Sequence, residues 1–393
     1  MNSPVILSAT RTAIGKFLGG LAPLSATELG AVVFKEALVR AGVKPDEVQE
    51  AILGNVIGAG LGQAPARQAA LKAGLPETLP CFVVNKVCGS GLKAVMLAAQ
   101  AIKAADAEVI LAGGAESMSN APHLIRRHRT GSAYGHGILE DTLLSDGLEC
   151  AIEKWHMGSA AEHIARRFNV SREDMDAFAY ESHRRAVAAI EGGKFKKEIV
   201  AVEIPQRKGP PLKVEIDEGP RKDTSLEKLG KLPAAFEKDG KVTAGNASSL
   251  NDGAAAVLVA DEAWAKKNGC KPLARILAYA VSGVAPKDIF HAPALAVPAA
   301  LAKADKRLKD VDLFELNEAF AAQAVANMRS LELDPARVNV HGGAVALGHP
   351  IGASGCRCLV TLLHALEDRG GKLGVASLCL GGGNAVALVV ERI

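Results

Sequence analysis

Cys88-Gly89-Ser90-Gly91, the apolar run Leu92 to Ala104, and Val109-Ile110-Leu111-Ala112 closed by Gly113-Gly114 form one unit of chain. A helix opens at Ser90-Gly91, is apolar on nearly every side and so is expected between two layers, then hands over to a strand ending in glycine. The order returns near the C-terminus: Ser354-Gly355 opens a helix to Glu367, and Leu373 to Cys379 is a strand ending in Gly381-Gly382-Gly383. The spacing from serine to glycine pair is 23 residues in one copy and 27 in the other, close enough to indicate a duplicated unit. Two related α/β halves facing each other are expected.

Outward from these units, Val5 to Ser8, Ala51 to Ile57 and Cys81 to Val84 read as strands, and Ser25-x-x-Glu28 caps a helix to Ala41, stopped by Gly42. Val311 to Leu316 is a strand followed by a helix opening at Asn317. Between the halves, residues 121–249 hold 21 basic and 20 acidic side chains of the chain's 46 and 43, a density that marks a solvated insertion. Within it Gly158 to Phe168 reads as a helix, Ser171-x-x-Asp174 caps another to Glu191, and 205–241, rich in Pro, Gly and Lys, reads as irregular loop. The expected division is 1–120 for the first half, completed by about 250–270, then 121–249 for the insertion and 271–393 for the second half.

The 393 residues are 49% hydrophobic, 23% charged and only 4% aromatic, which excludes disordered, collagenous and coiled-coil classes. A net charge of +3 is too weak to argue for nucleic acid or a membrane surface. Seven cysteines with no Cys-x-x-Cys pair do not resemble a disulfide framework, and a reducing, cytoplasmic setting is expected. The N-terminus lacks the basic and apolar regions of a secretory signal, and the uncharged run Leu373 to Val390, broken by Gly381 to Asn384, reads as two buried strands rather than a membrane span.

Cys88 sits where a strand passes into a helix, a place that favours thiolate through free N–H groups. It reads either as a nucleophile needing a further activating partner or as a small buried hydrophobe. His341 and His349, in the segment Val338 to Gly355 with five glycines, are both candidates for that partner; with Cys356 and Cys358 they also allow a metal reading, weakened because the two cysteines lie on different faces of a helix. Cys379 ends a strand before the triple glycine, as a core residue or as a second sulfur meeting Cys88 from the opposite half. Asn317 is open to a plain N-cap role. There is no phosphate-binding loop, serine-hydrolase elbow or dinucleotide fingerprint after a strand.

Asn85-Lys-Val-Cys-Gly-Ser-Gly-Leu-Lys-Ala, Gly113-Gly-Ala-Glu-Ser-Met-Ser, Asn317-Glu-Ala-Phe-Ala, Asn339-Val-His-Gly-Gly-Ala-Val-Ala-Leu-Gly-His-Pro-Ile-Gly and Cys379-Leu-Gly-Gly-Gly together resemble the thiolase family, in particular its biosynthetic acetyl-CoA acetyltransferases, over essentially the whole chain. The resemblance implies a five-layered αβαβα fold of two duplicated halves with an inserted loop domain that binds CoA, in a homodimer or homotetramer. It implies a lipid-metabolism acyltransferase condensing two acetyl-CoA reversibly to acetoacetyl-CoA plus CoA, with acyl-CoA and CoA as partners and neither metal nor redox cofactor.

By matching position, Cys88 would be the acylated nucleophile, His349 its base, Cys379 the acid/base for the second substrate, Asn317 the holder of an oxyanion-hole water, and Gly381 an N–H donor alongside Cys88. His156, Met157, Arg221, Phe236, Ala244, Ser248, Ala319 and Phe320 would contact CoA. The chain departs from the family pattern at His341, at Ile289-Phe290-His291-Ala292, and at Ser132 to Ile138 where a tetramer-forming loop is usual. Lys86 and Gly89 favour the biosynthetic group over a degradative 3-ketoacyl-CoA thiolase of broader chain length. Cys379 argues against a β-ketoacyl-ACP synthase, which has a histidine there, and the complete Cys, Asn, His, Cys set argues against a non-catalytic acyl-CoA- or lipid-binding module.

Overall fold

The computed structural model describes residues 2–131 and 134–393, so Ser132 and Ala133 of the expected tetramer loop lie outside it. The first half contains β1 (Pro4–Thr12), α1 (Ala26–Ala41), β2 (Glu50–Gly54), α2 (Pro65–Lys72), β3 (Cys81–Val84), α3 (Ser90–Ala104) and β4 (Val109–Ser117). After the insertion, with α4 (Met157–Arg167) and α5 (Arg172–Glu191), β5 (Asn251–Asp261) completes it. The second half runs β6 (Ala274–Gly283), α6 (Pro293–Lys303), β7 (Leu313–Leu316), α7 (Ala321–Ser330), α8 (Ser354–Arg369), β8 (Leu373–Leu380) and β9 (Asn384–Arg392).

These nine strands follow the order β7-β8-β9-β6-β1-β5-β4-β2-β3. The duplication is visible in the pairing. In the first half β1/β5 and β5/β4 are antiparallel and β2 is parallel to β4; in the second β6/β9 and β9/β8 are antiparallel and β7 is parallel to β8. A parallel bridge of Phe314 to Val338 stands where β3 stands in the first copy. The halves meet edge to edge at Val5–Arg275 and Ile6–Ala274.

Period-two alternation sorts the core into layers. Val5, Leu7, Leu53, Leu111 and Leu258 face outward against α1 and α2, while Ile6, Ile52, Ile110 and Val257 face inward with α3 and α8. In the second half Leu378, Leu388 and Val390 join that inner cluster, whereas Val375, Ala387 and Val389 pack on α6. The result is helix, sheet, helix pair, sheet, helix.

The helix pair is close because it is glycine-lined. A Cβ on Gly355 would lie 2.5 Å from the Leu92 backbone N, and one on Gly91 would lie 2.9 Å from the Cys356 N. These are the glycines of the two Ser-Gly helix openings, so the repeated dipeptide is what lets the copies touch.

Both capping boxes form, at Ser25/Glu28 and Ser171/Asp174. Three local expectations change. The strand expected over Ala51–Ile57 ends at Gly54, because the N–H groups of Val56 and Ile57 turn to Glu116 at 3.0 and 3.2 Å. The loop 205–241 contains a strand, Leu212–Val214, paired with Val202–Ile204, and a short helix, Leu226–Gly230, capped by Ser225. Asn317 is not a helix cap: α7 begins four residues later, after Phe320. Leu373–Leu380 and Asn384–Arg392 are two strands, and among the described residues no helix is long and apolar enough to cross a membrane.

Candidate active site

Cys88 lies in the five-residue connection from β3 to α3, and that connection is shaped by its own side chains. The Ser90 hydroxyl donates to the Val87 carbonyl at 2.6 Å and accepts the Lys86 N–H at 2.8 Å, while Asn85 Oδ1 accepts the Val87 N–H at 2.9 Å. Val87 is thereby held at φ +46°, a conformation that a β-branched residue adopts only under constraint. From the other half, Leu380 presses so close on this turn that a Cβ on Gly89 would sit 2.2 Å from its methyl carbon. Leu380 follows Cys379, so the contact registers one cysteine against the other.

The His349 ring is held in one tautomer. Ser354 donates its single hydroxyl proton to the Pro350 carbonyl at 2.8 Å and therefore accepts from His349 Nδ1 at 2.6 Å. That fixes the proton on Nδ1 and leaves Nε2 as an acceptor. Asn317 Nδ2 faces Nε2 at 3.4 Å, and its Oδ1 is turned toward the guanidinium of Arg357 at 3.5 Å. Arg357, itself buried, pairs with Glu315 at 2.6 Å. The His349 backbone is anchored by Asn251 Oδ1 at 2.9 Å.

Burial dominates the electrostatics. It pushes the Cys88 thiol up to about 12, against the opposing pull of its own N–H and that of Gly381. Cys379 is also raised, by burial and then by the neighbouring Cys88. Burial, helped by the Arg357 charge, lowers His349 to about 3. The expectation that the helix terminus favours a Cys88 thiolate is therefore corrected. Desolvation outweighs the N–H donors, and the resting pair is a neutral thiol and a neutral imidazole. Glu116, which accepts N–H groups from Val56, Ile57 and Gly352, is raised by burial to about 7.

A cavity of about 500 Å³ brings these groups together: Cys88, His349, Cys379 and Gly381 line it, and so do His156, Met157, Arg221, Phe236, Ala244, Ser248, Ala319 and Phe320. Asn317 stands behind His349 rather than on the wall. Arg221 is the one Lys or Arg side chain on the wall among the described residues. The insertion supplies its side through local packing: His156 caps α4 by accepting the Gly158 N–H at 3.0 Å and stacks on Phe236 at 4.9 Å. Phe236 lies flat where a Cβ of Gly158 would be. Ser248 donates to the Ala319 carbonyl at 2.9 Å, joining insertion to second half.

His341 is not part of this site. Its Nε2 faces Asp368 at 3.3 Å on another surface, Cys356 and Cys358 are buried in α8, and among the described residues no group of three or more His, Cys, Asp or Glu is placed to hold a metal ion. Ser354, Arg357 and Glu116 were not expected at the site. Ser354 is the counterpart of Ser90 in the duplicated unit, and Arg357 is the one Lys, Arg, Asp or Glu in α8 before Glu367; both were visible signals. Ile289 and Phe290, from the segment that departs from the family pattern, also line the cavity, as do Met118, Leu148 and Ile351, which no pattern separates from ordinary core.

The thiolase N-terminal domain model matches residues 4–263, and the thiolase C-terminal domain model matches 270–392. The acetyl-CoA acetyltransferases of Pseudomonas aeruginosa and Cupriavidus necator are each 55% identical over 392 residues, covering 100% of both chains. A probable acetyl-CoA acyltransferase of Staphylococcus epidermidis is 50% identical over 100% of this chain and 99% of the relative. The crystal structure of the Bacillus anthracis acetyl-CoA acetyltransferase superposes with a TM-score of 0.98 at 45% identity, over 100% of this chain and 99% of that one. With a duplicated five-layer fold, a cysteine from each half in one cavity, and matches along its whole length, the chain belongs to the thiolase family.

Proposed function

We propose that this protein is an acetyl-CoA C-acetyltransferase, joining two acetyl-CoA to acetoacetyl-CoA and CoA, and running the same steps backward as thiolysis. The observation that carries the reading is the convergence of two thiols and a tautomer-locked imidazole on one cavity.

Cys88 Sγ attacks the thioester carbon as its proton passes to His349 Nε2. The bond to the CoA sulfur breaks and that sulfur takes the proton of Cys379, leaving acetyl-Cys88, a His349 imidazolium and a Cys379 thiolate. The N–H groups of Cys88 and Gly381, already turned to the sulfur, receive the tetrahedral oxyanion. Cys379 then removes a proton from the methyl of the second acetyl-CoA, and the resulting carbanion attacks acetyl-Cys88. His349, with a water held by Asn317, steadies the enolate oxygen and returns its proton to the departing Cys88 sulfur. Every proton is accounted for by two thiols and an imidazole, so the chemistry requires no metal or redox cofactor.

The CoA moiety is assigned to the wall of His156, Met157, Arg221, Phe236, Ala244, Ser248, Ala319 and Phe320, with Arg221 toward the nucleotide phosphates. We place the enzyme in the cytoplasm, in lipid metabolism, as a homodimer or homotetramer. The edge of β3, unpaired among the described residues and with Phe82 at 40% exposure, supports association between copies.

Brief exposure to acetyl-CoA followed by peptide mass spectrometry should find one acetyl group on the Cys88 peptide. Cys88→Ala should lose both the adduct and at least about 1,000-fold in kcat. An unlabelled wild-type protein would refute the acyl-enzyme route.

A further inference from the structure

The segment Pro286–His291, between β6 and α6, is fastened from outside to α4: Asp288 binds His163 at 3.0 Å and pairs with Arg167, and the His291 ring packs 4.6 Å from Phe168. These fastenings turn the intervening Ile289 and Phe290 inward, where Phe290 is 3% exposed. Buried Asn327 on α7 donates to the Phe290 carbonyl at 2.8 Å, so the backbone is pinned from a second side. The Phe290 ring meets Phe320 edge-on at 5.3 Å, Phe320 meets Phe236 at 6.1 Å, and Phe236 stacks on His156. An aromatic row therefore lines one wall in the apolar cluster that also holds Cys379, and at its Phe290 end the segment Pro286–His291 packs on β8, the strand that carries Cys379.

No step of the reaction uses Phe290. We infer that Phe290 closes the acyl end of the cavity and is the residue that limits the chain length of the transferred acyl group, an inference that rests on the acyl-transfer reading above. Carbons beyond an acetyl group on Cys88 must run away from the pantetheine arm. With that arm assigned to the His156, Phe236 and Ser248 side, what is left is the wall where Pro286–His291 packs on β8 and presents Phe290. A ring pinned through its backbone and held by Phe320 does not swing aside as an unbranched aliphatic chain would. Phe290→Ala removes the whole ring, more carbon than separates a C8 from a C4 ketoacyl chain.

The test is thiolysis of acetoacetyl-CoA and 3-ketooctanoyl-CoA by the full-length wild type, Phe290→Leu and Phe290→Ala. The readout is the ratio of kcat/KM for C8 over C4, which does not depend on the fraction of protein correctly folded. We expect that ratio to rise at least about tenfold in Phe290→Ala and by less in Phe290→Leu. Phe236→Leu, on the CoA side, should lower both substrates together and leave the ratio unchanged within about twofold. A ratio that stays at the wild-type value in the soluble Phe290 variants, or a wild type that already accepts C8 as well as C4, overturns the assignment. A wild type inactive on C4 as well would instead condemn the acyl-transfer reading itself.

Discussion

At the scale of single residues, the site is a balance between desolvation and a few aimed hydrogen bonds. Because Cys88 is pushed up to about 12, its thiolate fraction at neutral pH is small and grows with pH. Iodoacetamide inactivation of the free enzyme should therefore accelerate about tenfold per pH unit from 7 to 9. A plateau below pH 8 would mean that the thiol is already ionised. His349, lowered to about 3, keeps its neutral form throughout that range and contributes no inflection. Ser354→Ala leaves the buried Nδ1–H of His349 without an acceptor and frees the tautomer. Losing such a bond costs about 1–3 kcal/mol, so kcat should fall about 5- to 150-fold. KM for CoA should hold, since Ser354 is not on the cavity wall; a rise in KM with kcat unchanged would contradict the role.

Among the elements, the crossing of α3 and α8 governs how Cys88 is registered against His349. Its closeness depends on side chains that are missing. Gly355→Ala would bring a methyl to 2.5 Å of the Leu92 backbone, where neither helix can yield without moving Cys88 or His349. Overpacking of this kind costs about 1–3 kcal/mol. Gly283→Ala, at the end of β6 with nothing within 4 Å, should stay within about 0.5 kcal/mol of wild type. Urea midpoints for the two variants compare them directly, and equal midpoints would rule out the crossing as a tight spot. These elements were largely legible in the sequence, because Ser-Gly openings, capping boxes and period-two strands are local signals. The extent of β2 was not, since the N–H groups that leave the strand at Val56 and Ile57 go to a carboxylate sixty residues away, on Glu116.

For the molecule as a whole, the insertion must be held to both halves for the cavity to exist. Arg11 on β1 binds Glu198 at 2.5 Å and Asp217 at 2.7 Å, both beyond α5, and Glu198 also accepts from Thr361 on α8 at 3.1 Å. All three charged side chains are fully buried. Arg11→Met strands two carboxylates out of water, a loss of about 3–5 kcal/mol. Thermal unfolding of both proteins checks the loss, and equal midpoints would exclude the pairing as a support of the insertion.

Element type, the duplication, and the identity of Cys88, Asn317, His349 and Cys379 as candidates were readable from the chain, since helix caps, alternation and glycine turns act over a few residues. Three things were not readable from local patterns. Resemblance alone singled out His349 over His341, and the physical difference lies in which ring meets Ser354 and which meets Asp368. The protonation of Cys88 depends on how deeply the opposite half buries it. The place of Phe290 depends on contacts from α4 and α7. Each arises from groups far apart in sequence brought within a few ångströms, where burial and electrostatics act through space rather than along the backbone.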